Sequence, residues 1–391
     1  MRVAFYAPMK APDHPVPSGD RRMARQLIAA LEHAGHRVEL ACRLRSYDGR
    51  GDTARQARLR AIGGRLAERL TARMERRPSD TRPDLWLTYH AYHKAPDWLG
   101  PRLSQALGIP YVLAEAAYAP KQAGGRWAAG HAAMPETVAA ADLVFALSAR
   151  DVGCVSPLMR PSAELRRLVP FLDPAPYSEA RANREAVRHA LAAIHGLDPA
   201  QPWLAVAAMM RTGDKLASYR LLARSLELLA DRPWQMAVVG GGPAAAEVKA
   251  AFSTIGKGRI AWLGERDTAD VADVLAAADL YVWPGVNEAY GIAYLEAQAA
   301  GLPVVAMATA GVPEVVADGR SGRLVPLDDC GAFAGAIARL LDDPDERRAV
   351  GAAAARHVAT VHGFARAVAT LDDGLRRARI IHAARAGDGP S

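Results

Sequence analysis

The chain has 391 residues, of which 50% are hydrophobic, and carries a formal net charge of +7, with arginine predominating among its basic residues. This length exceeds what one hydrophobic core usually holds, so two domains are expected, and the apolar content excludes an intrinsically disordered protein. The excess of basic residues favours phosphate-bearing ligands or an anionic membrane face as partners. The three cysteines are widely separated and show neither metal-ligand spacing nor a disulfide framework, which favours a reducing cytoplasm.

The N-terminal segment predicts a strand rather than a signal peptide, because residues 1–8 (MRVAFYAP) hold one basic residue and a short apolar run that proline ends. A glycine-containing loop at 15–20, a helix at about 21–34 and a strand at 36–41 follow. This βαβ unit places Gly19 at the carboxyl edge of a parallel sheet. No stretch reaches the ~18 uninterrupted apolar residues of a membrane span, which predicts a soluble or peripheral protein.

Residues 53–77 predict a strongly basic amphipathic helix. Apolar residues recur three or four positions apart along it, at Leu59, Ile62, Leu66, Leu70 and Met74. Its basic face is suited to contact anionic lipid headgroups. A solvated arginine face and recruitment of an acidic protein are the alternatives.

Polar side chains follow two strands that are expected at 85–88 and 111–114. His90 and His93 come after the first strand, and Glu115 and Tyr118 come after the second. A metal pair made by the two histidines lacks a clear third ligand, so hydrogen bonding to a ligand is the preferred interpretation. A structural role for either histidine is equally compatible with the sequence.

A second series of strands and helices follows the proline-rich segment 168–176, which marks the expected domain boundary. A helix is predicted at about 180–195. Strands are predicted at 143–146 before the boundary and, after it, at 203–207, 234–239, 260–262, 280–283 and 304–306. The pattern predicts an α/β protein with two doubly wound domains facing across a cleft, with ligand sites at the carboxyl ends of the strands.

Two further motifs follow strands of this second series. Arg211 and Lys215 stand just beyond one strand, where a loop would present cations at the sheet edge. Gly240 and Gly242 belong to a G-x-G-x-x-A pattern after the next strand, with Glu265 about 20 residues further on, which is compatible with dinucleotide binding. A nicotinamide-dependent oxidoreductase is therefore an alternative, although it leaves the cations and the glutamates below without roles.

The segment 283–313 sets Glu288 and Glu296 eight positions apart around the start of a helix predicted at about 290–300. The N–H groups near Tyr290, Gly291 and Ile292 would point out of the sheet edge with the positive end of the helix dipole, where a phosphate fits. Two carboxylates beside a phosphate need hydroxyl donors, so the pattern predicts a nucleotide sugar. The alternative is that either glutamate is structural, with Glu296 a solvated helix residue.

The Asp343-Pro344-Asp345 triplet has the spacing of a metal-binding D-x-D motif. It follows a helix predicted at about 329–341, at the start of another, so the interpretation is a turn and an N-cap. No metal site is predicted there.

Residues 288–297, 301–305 and 311–316 together resemble the E-x7-E signature region of retaining, GT-B fold glycosyltransferases of family four, the glycosyl transferases group 1. The resemblance continues through 319–326 and the helix after it, begins near Val206, and is looser in the N-terminal half. It implies GT-B architecture with two Rossmann-like domains, an acceptor-side domain at 1–172 and a nucleotide-sugar donor domain at 173–363. A final helix at about 364–381 would pack back onto the N-terminal domain, and residues 382–391 are expected to be a disordered tail.

The same resemblance assigns roles to particular residues. Arg211 and Lys215 would contact the donor diphosphate in place of a divalent metal, so no metal or other cofactor is expected. Lys215 is followed by leucine where glycine is usual, and relatives place a histidine near the position of Glu115, for which His90 or His93 would compensate. The catalytic set is thus Glu288, Arg211, Lys215, His90 and Glu115, and the donor-binding set is Gly19, Gly240, Gly242, Tyr290, Gly291, Ile292 and Glu296.

The predicted function is retaining, metal-independent transfer of a sugar from a nucleoside-diphosphate sugar to a glycan, lipid-linked or small-molecule acceptor. The expected location is the cytoplasm, with peripheral contact to the inner membrane face through the basic helix and no nucleic-acid partner. A noncatalytic nucleotide-sugar-binding subunit and a nucleotide-sugar epimerase or hydrolase on the same fold remain as alternatives. The sequence does not specify the sugar, the base or the acceptor.

Overall fold

The computed structural model describes residues 1–16 and 18–387, and its chain divides into two compact units. The first unit comprises Met1–Val169 and the C-terminal segment from Ala365, and the second comprises Pro170–Phe364. Each unit contains one six-stranded sheet in which all neighbouring strands are parallel. The predicted α/β class with two doubly wound parallel sheets is confirmed.

The sheet of the first unit has the strand order β2-β1-β3-β4-β5-β6. Its strands are β1 (Arg2–Tyr6), β2 (Arg37–Cys42), β3 (Leu85–Ala91), β4 (Tyr111–Ala116), β5 (Leu143–Ala146) and β6 (Glu164–Arg167). Its helices within the N-terminal segment are α1 (Gly19–His33), α2 (Thr53–Glu75), α3 (Gly100–Leu107), α4 (Ala128–Ala140) and α5 (Ala149–Val155). The edge strand β6 was not predicted, because its sequence ELRR is charged and only half-buried.

Helix α2 buries a face that is rotated from the predicted apolar stripe. Leu70 and Met74 are buried as expected, but Leu59, Ile62 and Leu66 are half-buried. The rotation has a steric origin, since a Cβ on Gly63 would stand 2.4 Å from the Cβ of Trp98. Small residues on α2 therefore allow close packing against the segment that leads into α3.

In the part of the chain that the structure describes, no helix combines the length and apolar character that a membrane crossing needs.

The sheet of the second unit has the strand order β12-β11-β10-β7-β8-β9. Its strands are β7 (Trp203–Ala207), β8 (Gln235–Val239), β9 (Ile260–Gly264), β10 (Leu280–Val282), β11 (Val304–Met307) and β12 (Gly322–Val325). Its helices are α6 (Ala175–Ala182), α7 (Arg184–His195), α8 (Asp214–Glu227), α9 (Ala245–Ala251), α10 (Thr268–Ala277), α11 (Ile292–Ala299), α12 (Cys330–Asp342) and α13 (Pro344–Val361). Strand β12 was not predicted.

The single helix predicted at about 180–195 is wrong, because the structure has two helices there. Asn183 ends α6 and precedes α7 with φ −102° and ψ 13°, which interrupts the helical backbone. The break orients Arg184 and Arg188 of α7 toward Asp279, at 2.6 Å and 3.0 Å. Asparagine favours such interruptions because its side chain competes with the helical hydrogen bonds.

The Asp343-Pro344-Asp345 segment starts α13, and the predicted N-cap is confirmed. The Asp343 carboxylate accepts hydrogen bonds from the N–H groups of Asp345 and Glu346, at 3.0 Å and 2.8 Å. These two donors have no helical partner in the first turn, so the carboxylate satisfies them.

The last helix, α14 (Phe364–Gly387), extends beyond the predicted end at 381. The expectation of a disordered tail from residue 382 is wrong for residues 382–387, and residues 388–391 lie outside the described chain. The helix continues because His382 Nδ1 and Arg385 NH1 lie 3.1 Å and 3.3 Å from the carboxylate oxygens of Asp142, which is fully buried. From Ala365 onward the helix groups with the first unit, where a Cβ on Gly374 would meet the Phe145 ring at 2.3 Å.

Candidate functional site

The loop between β10 and α11 is held in place by side chains of α11 and α8. Tyr294 of α11 donates from its hydroxyl to the Trp283 carbonyl at 3.1 Å, and the Val286 N–H donates to Ser218 Oγ at 2.9 Å. Gly285 has φ +72°, and a Cβ there would lie 2.0 Å from the Tyr294 hydroxyl oxygen. Only glycine fits at that point, so the loop that carries Glu288 has a fixed path.

Helix α11 begins with open donors. Its N-cap is Gly291, with φ +73° and no side-chain cap. The N–H groups of Gly291 and Ile292 have no acceptor among the residues that the structure describes. Tyr290 and Ile292 side chains are buried against the unit, which leaves the backbone as the polar feature at this end. An uncapped helix N-terminus with free donors is suited to bind an anion.

Glu288 and Lys215 lie in direct contact as an ion pair. The Trp283 indole donates to the same Glu288 oxygen, Oε1, at 3.2 Å, and Lys215 Nζ lies 5.4 Å from the centre of a Trp283 ring. The Lys215 and Glu288 side chains are 33% and 17% exposed, so both can reach a ligand. Trp283 is a site residue that sequence reasoning missed, although it stands five positions before Glu288.

Arg211 is exposed on the loop between β7 and α8, four positions before Lys215. Strands β7 and β10 are neighbours, so this loop and the Glu288 loop leave the sheet at the same edge. Asn287 Nδ2 donates to Asp214 Oδ2 at 3.1 Å and joins the two loops. The structure therefore places Arg211, Lys215 and Glu288 on one edge of the second unit.

Gly240 and Gly242 support the backbone that leads to Arg211. With φ +142° and +143°, they come so close to the β7 loop that Cβ atoms would lie 1.9 Å from the Ala208 carbonyl oxygen and 2.4 Å from that of Met210. The Met210 N–H donates to the Gly241 carbonyl at 2.8 Å. A structural reason thus accounts for the glycine pattern without a dinucleotide.

Glu296 is buried, with 4% of the residue exposed, and the Tyr177 hydroxyl donates to its Oε1 at 2.7 Å. The alternative of a solvated helix residue is therefore wrong. A buried carboxylate needs hydrogen-bond donors, and Tyr177 of α6 supplies one.

In the first unit, His90 and Glu115 stand at the carboxyl ends of the adjacent strands β3 and β4. His90 Nδ1 lies 2.8 Å from Asp20 Oδ1 and 3.9 Å from Glu115 Oε1. Burial alone would lower the pKa of His90, but the charges of Glu115 and Asp20 outweigh it and raise the pKa to about 9. Burial raises the pKa of the Glu115 carboxyl above its ordinary value. Asp20 was not predicted, although it follows Gly19, the first residue of α1.

His93 and Tyr118 belong to aromatic contacts beside this group. The His93 and Trp127 rings are 5.8 Å apart, and Tyr118 stacks on His131 at 4.6 Å. Burial, aided by the charges of Lys94 and His131, lowers the pKa of His93 to about 4, so His93 is neutral near pH 7. Within the described ranges, no group of three or more His, Cys, Asp or Glu side chains is arranged to hold a metal ion.

Backbone strain falls on both site regions. Among the described residues, those other than glycine with positive φ are His90, Glu115, Asn287, Ala310 and Asp328. Each such conformation costs roughly 1–3 kcal/mol and persists where the surrounding structure enforces it, as at binding and catalytic sites. His90 and Glu115 are two of these residues, and Asn287 immediately precedes Glu288.

Residues 202–343, which include these second-unit loops, match the family model described as Glycosyl transferases group 1. The curated D-inositol 3-phosphate glycosyltransferase of Corynebacterium diphtheriae is 35% identical over 145 residues, which cover 36% of this chain and 34% of that protein. The chain thus matches about a third of the length of that relative. The predicted resemblance is confirmed by these matches.

Two solved structures share the fold over nearly the whole chain. Sucrose-phosphate synthase from Thermosynechococcus elongatus has a TM-score of 0.72 at 20% identity, covering 96% of this chain and 98% of that one. Anabaena Alr3699/HepE, solved in complex with UDP-glucose, has a TM-score of 0.67 at 17% identity, covering 96% and 99%. At such identities the likeness establishes the fold.

Proposed function

From the glycosyl transferases group 1 domain that residues 202–343 carry, we propose that this chain is a retaining glycosyltransferase that uses a nucleoside-diphosphate sugar without a metal ion. The observation that carries the proposal is the Lys215–Glu288 pair beside the open N-terminus of α11. One edge of the sheet thereby offers a cation, a carboxylate and free N–H donors. A sugar diphosphate needs this combination, since it presents hydroxyl donors and anionic oxygens together.

Lys215 and Arg211 neutralise the diphosphate, with the Gly291 and Ile292 N–H groups as further donors. As the nucleoside diphosphate leaves, negative charge grows on its phosphate oxygens, and fixed positive groups stabilise that charge. Binding exchanges the Lys215–Glu288 contact for contacts with the ligand. Glu288 is then available to the sugar hydroxyls, while Trp283 keeps its carboxylate oriented.

Glu296 is proposed to hold the ribose. Its carboxylate already accepts a hydrogen bond from the Tyr177 hydroxyl, and ribose hydroxyls would donate to the same carboxylate. Because the carboxylate is buried, each hydrogen bond from the ligand replaces little water and is correspondingly strong.

Retention is proposed to follow from substitution on one face of the sugar. The bond from the anomeric carbon to the phosphate oxygen breaks, and the acceptor oxygen bonds to the same face. The acceptor proton passes to the departing phosphate oxygen. Glu288 is engaged by Lys215 and Trp283 rather than placed as a nucleophile, and the protein supplies orientation and electrostatics.

The acceptor is proposed to be a hydroxyl compound of the glycan, lipid-linked or small-molecule class, which includes polyols such as the inositol phosphate named for the Corynebacterium relative.

A peripheral contact with anionic lipid at the cytoplasmic membrane face is also proposed. It is supported by exposed arginines along α2, namely Arg55, Arg58, Arg60, Arg65, Arg69 and Arg73. Sedimentation with anionic vesicles tests this contact through its weakening by salt.

A thermal-shift panel of nucleotide sugars tests the donor class. A ligand at 100 times its dissociation constant adds about 2.7 kcal/mol to the free energy of unfolding, so the correct donor should raise the melting temperature clearly. The donor-induced rise in melting temperature should be smaller in Arg211→Ala, which lacks one of the cations proposed to bind the diphosphate. If nicotinamide dinucleotides alone shifted melting, the proposal would be wrong.

Turnover then separates the remaining alternatives. A transferase consumes donor only when acceptor is present, whereas an epimerase or hydrolase on this fold consumes donor alone. A noncatalytic binding subunit would give the shift but no turnover with any acceptor.

A further inference from the structure

More carboxylates surround His90 than are needed to orient its imidazole ring. One carboxylate, Asp20, is hydrogen-bonded to Nδ1 at 2.8 Å, and that contact alone would fix the ring. Glu115 stands 3.9 Å from the same nitrogen, and Asp151 of α5 adds a third negative charge. The His90 side chain is still 18% exposed, so a ligand can reach it.

These carboxylates reach His90 from three different elements of the first unit. Asp20 comes from the first turn of α1, Glu115 from the end of β4, and Asp151 from the capping box of α5. The rings of Tyr89 and Tyr92 lie 5.8 Å and 5.0 Å from the imidazole. Among the positive charges, Lys10 acts on Asp20 and Arg45 acts on Tyr92.

A single aspartate on a histidine is the arrangement of a general base, in which Nδ1–H bonds the carboxylate and Nε2 accepts a proton. Additional carboxylates change that role, because they favour the doubly protonated ring. In the imidazolium both nitrogens donate, so Nε2–H is offered to a ligand.

We propose that Asp20 is a positioning residue which, together with Glu115, keeps His90 as an imidazolium, so that His90 donates a hydrogen bond to a substrate oxygen and does not act as a base. The inference rests on the proposed function, since substitution on one face of the sugar sends the acceptor proton to the phosphate and requires no protein base. Catalysis by an inverting route would instead need His90 neutral.

The sign of the pH dependence follows from the charges. The pKa of His90 is raised to about 9, so the imidazolium persists through neutral pH and is lost as pH rises through that value. The pKa of Asp20 is shifted as well. Burial would raise it, but the hydrogen bond with His90 holds the pKa of Asp20 below its ordinary value. The pair therefore stays charged on both sides from mildly acidic to neutral pH.

The test is an NMR titration of the His90 ring in the full chain without substrate, assigned with His90→Gln. The wild-type ring should titrate near pH 9, and in Asp20→Asn its titration should move down by about 1–3 pH units. Asp20→Glu should restore most of the wild-type value. Asp13→Asn, which removes an exposed carboxylate paired with Arg43 in the same unit, serves as the matched control and should leave His90 unchanged.

The activity profile gives the second readout. Turnover of the wild type should fall as pH rises through about 9, and the falling limb should move to lower pH in Asp20→Asn. A wild-type His90 that titrates near its ordinary value, or activity that rises as His90 loses its proton, would overturn the inference. Because the titration needs no donor, that failure is distinct from a failure of donor binding in the thermal-shift panel.

Discussion

We expect Lys215→Ala to lower kcat by about 10²–10³-fold, because the variant removes a fixed cation aimed at the departing diphosphate. In free energy this is about 2.7–4 kcal/mol of lost transition-state stabilisation. The variant also removes the ion-pair partner of Glu288, whose side chain is only 17% exposed. Steady-state kinetics at saturating donor measures the effect on kcat separately from the effect on KM.

The matched control for this variant is Lys249→Ala. Lys249 lies in the same unit and also approaches a tryptophan, with Nζ 5.8 Å from a Trp262 ring centre, but it stands on α9 away from Glu288. Its removal should leave kcat close to that of the wild type, and as a surface change it should alter the free energy of unfolding by no more than about 0.5 kcal/mol. Equal losses in both variants would show that the Lys215 effect is not local to the site.

The second large effect is expected from Gly311→Ala. A Cβ on Gly311 would lie 1.5 Å from the Ala289 carbonyl oxygen and 2.6 Å from its carbon, so the Glu288 loop must move to admit it. The Gly311 N–H also donates to the Glu288 carbonyl at 3.1 Å. Displacement of catalytic groups by about 1 Å can cost about 10²-fold in rate, and kcat/KM should fall by at least that factor.

Folding should survive this substitution, at a cost of about 1–3 kcal/mol for the overpacked contact. Urea unfolding measures that cost beside the kinetics. Gly335→Ala is the control, because a Cβ at that helical position meets no atom within 4 Å and alanine favours the helix by roughly 0.5–1 kcal/mol. Wild-type activity in Gly311→Ala would contradict the fixed loop path.

The second unit was the more predictable part of the chain. Its motif residues, from Arg211 to Glu296, are close to strand ends in sequence, and parallel strands bring those ends to one edge. The Lys215–Glu288 contact was not predictable, because it joins residues 73 positions apart and depends on side-chain geometry. Each residue was instead assigned a separate ligand role, and the structure pairs the two in the free protein.

The group of side chains around His90 was predicted only in part. Alternation of strands and helices placed His90 and Glu115 at strand ends, but nothing in their spacing shows that Asp20 and Asp151 would join them. Those aspartates belong to helix starts, where acidic residues are common for local reasons. Strands β6 and β12 were not predicted for a similar reason. Neither has an apolar run in its sequence, and each forms because tertiary structure places it beside a neighbouring strand.

Calorimetric titration of a nucleoside diphosphate into chelator-treated protein tests most directly the claim that the protein itself neutralises the diphosphate. We predict saturable binding at one site per chain without added metal, and weaker binding by about 1.5–3 kcal/mol in Lys215→Ala, as for loss of a charge-assisted hydrogen bond. Binding that appeared only after magnesium was added, or that was unchanged in Lys215→Ala, would contradict the account.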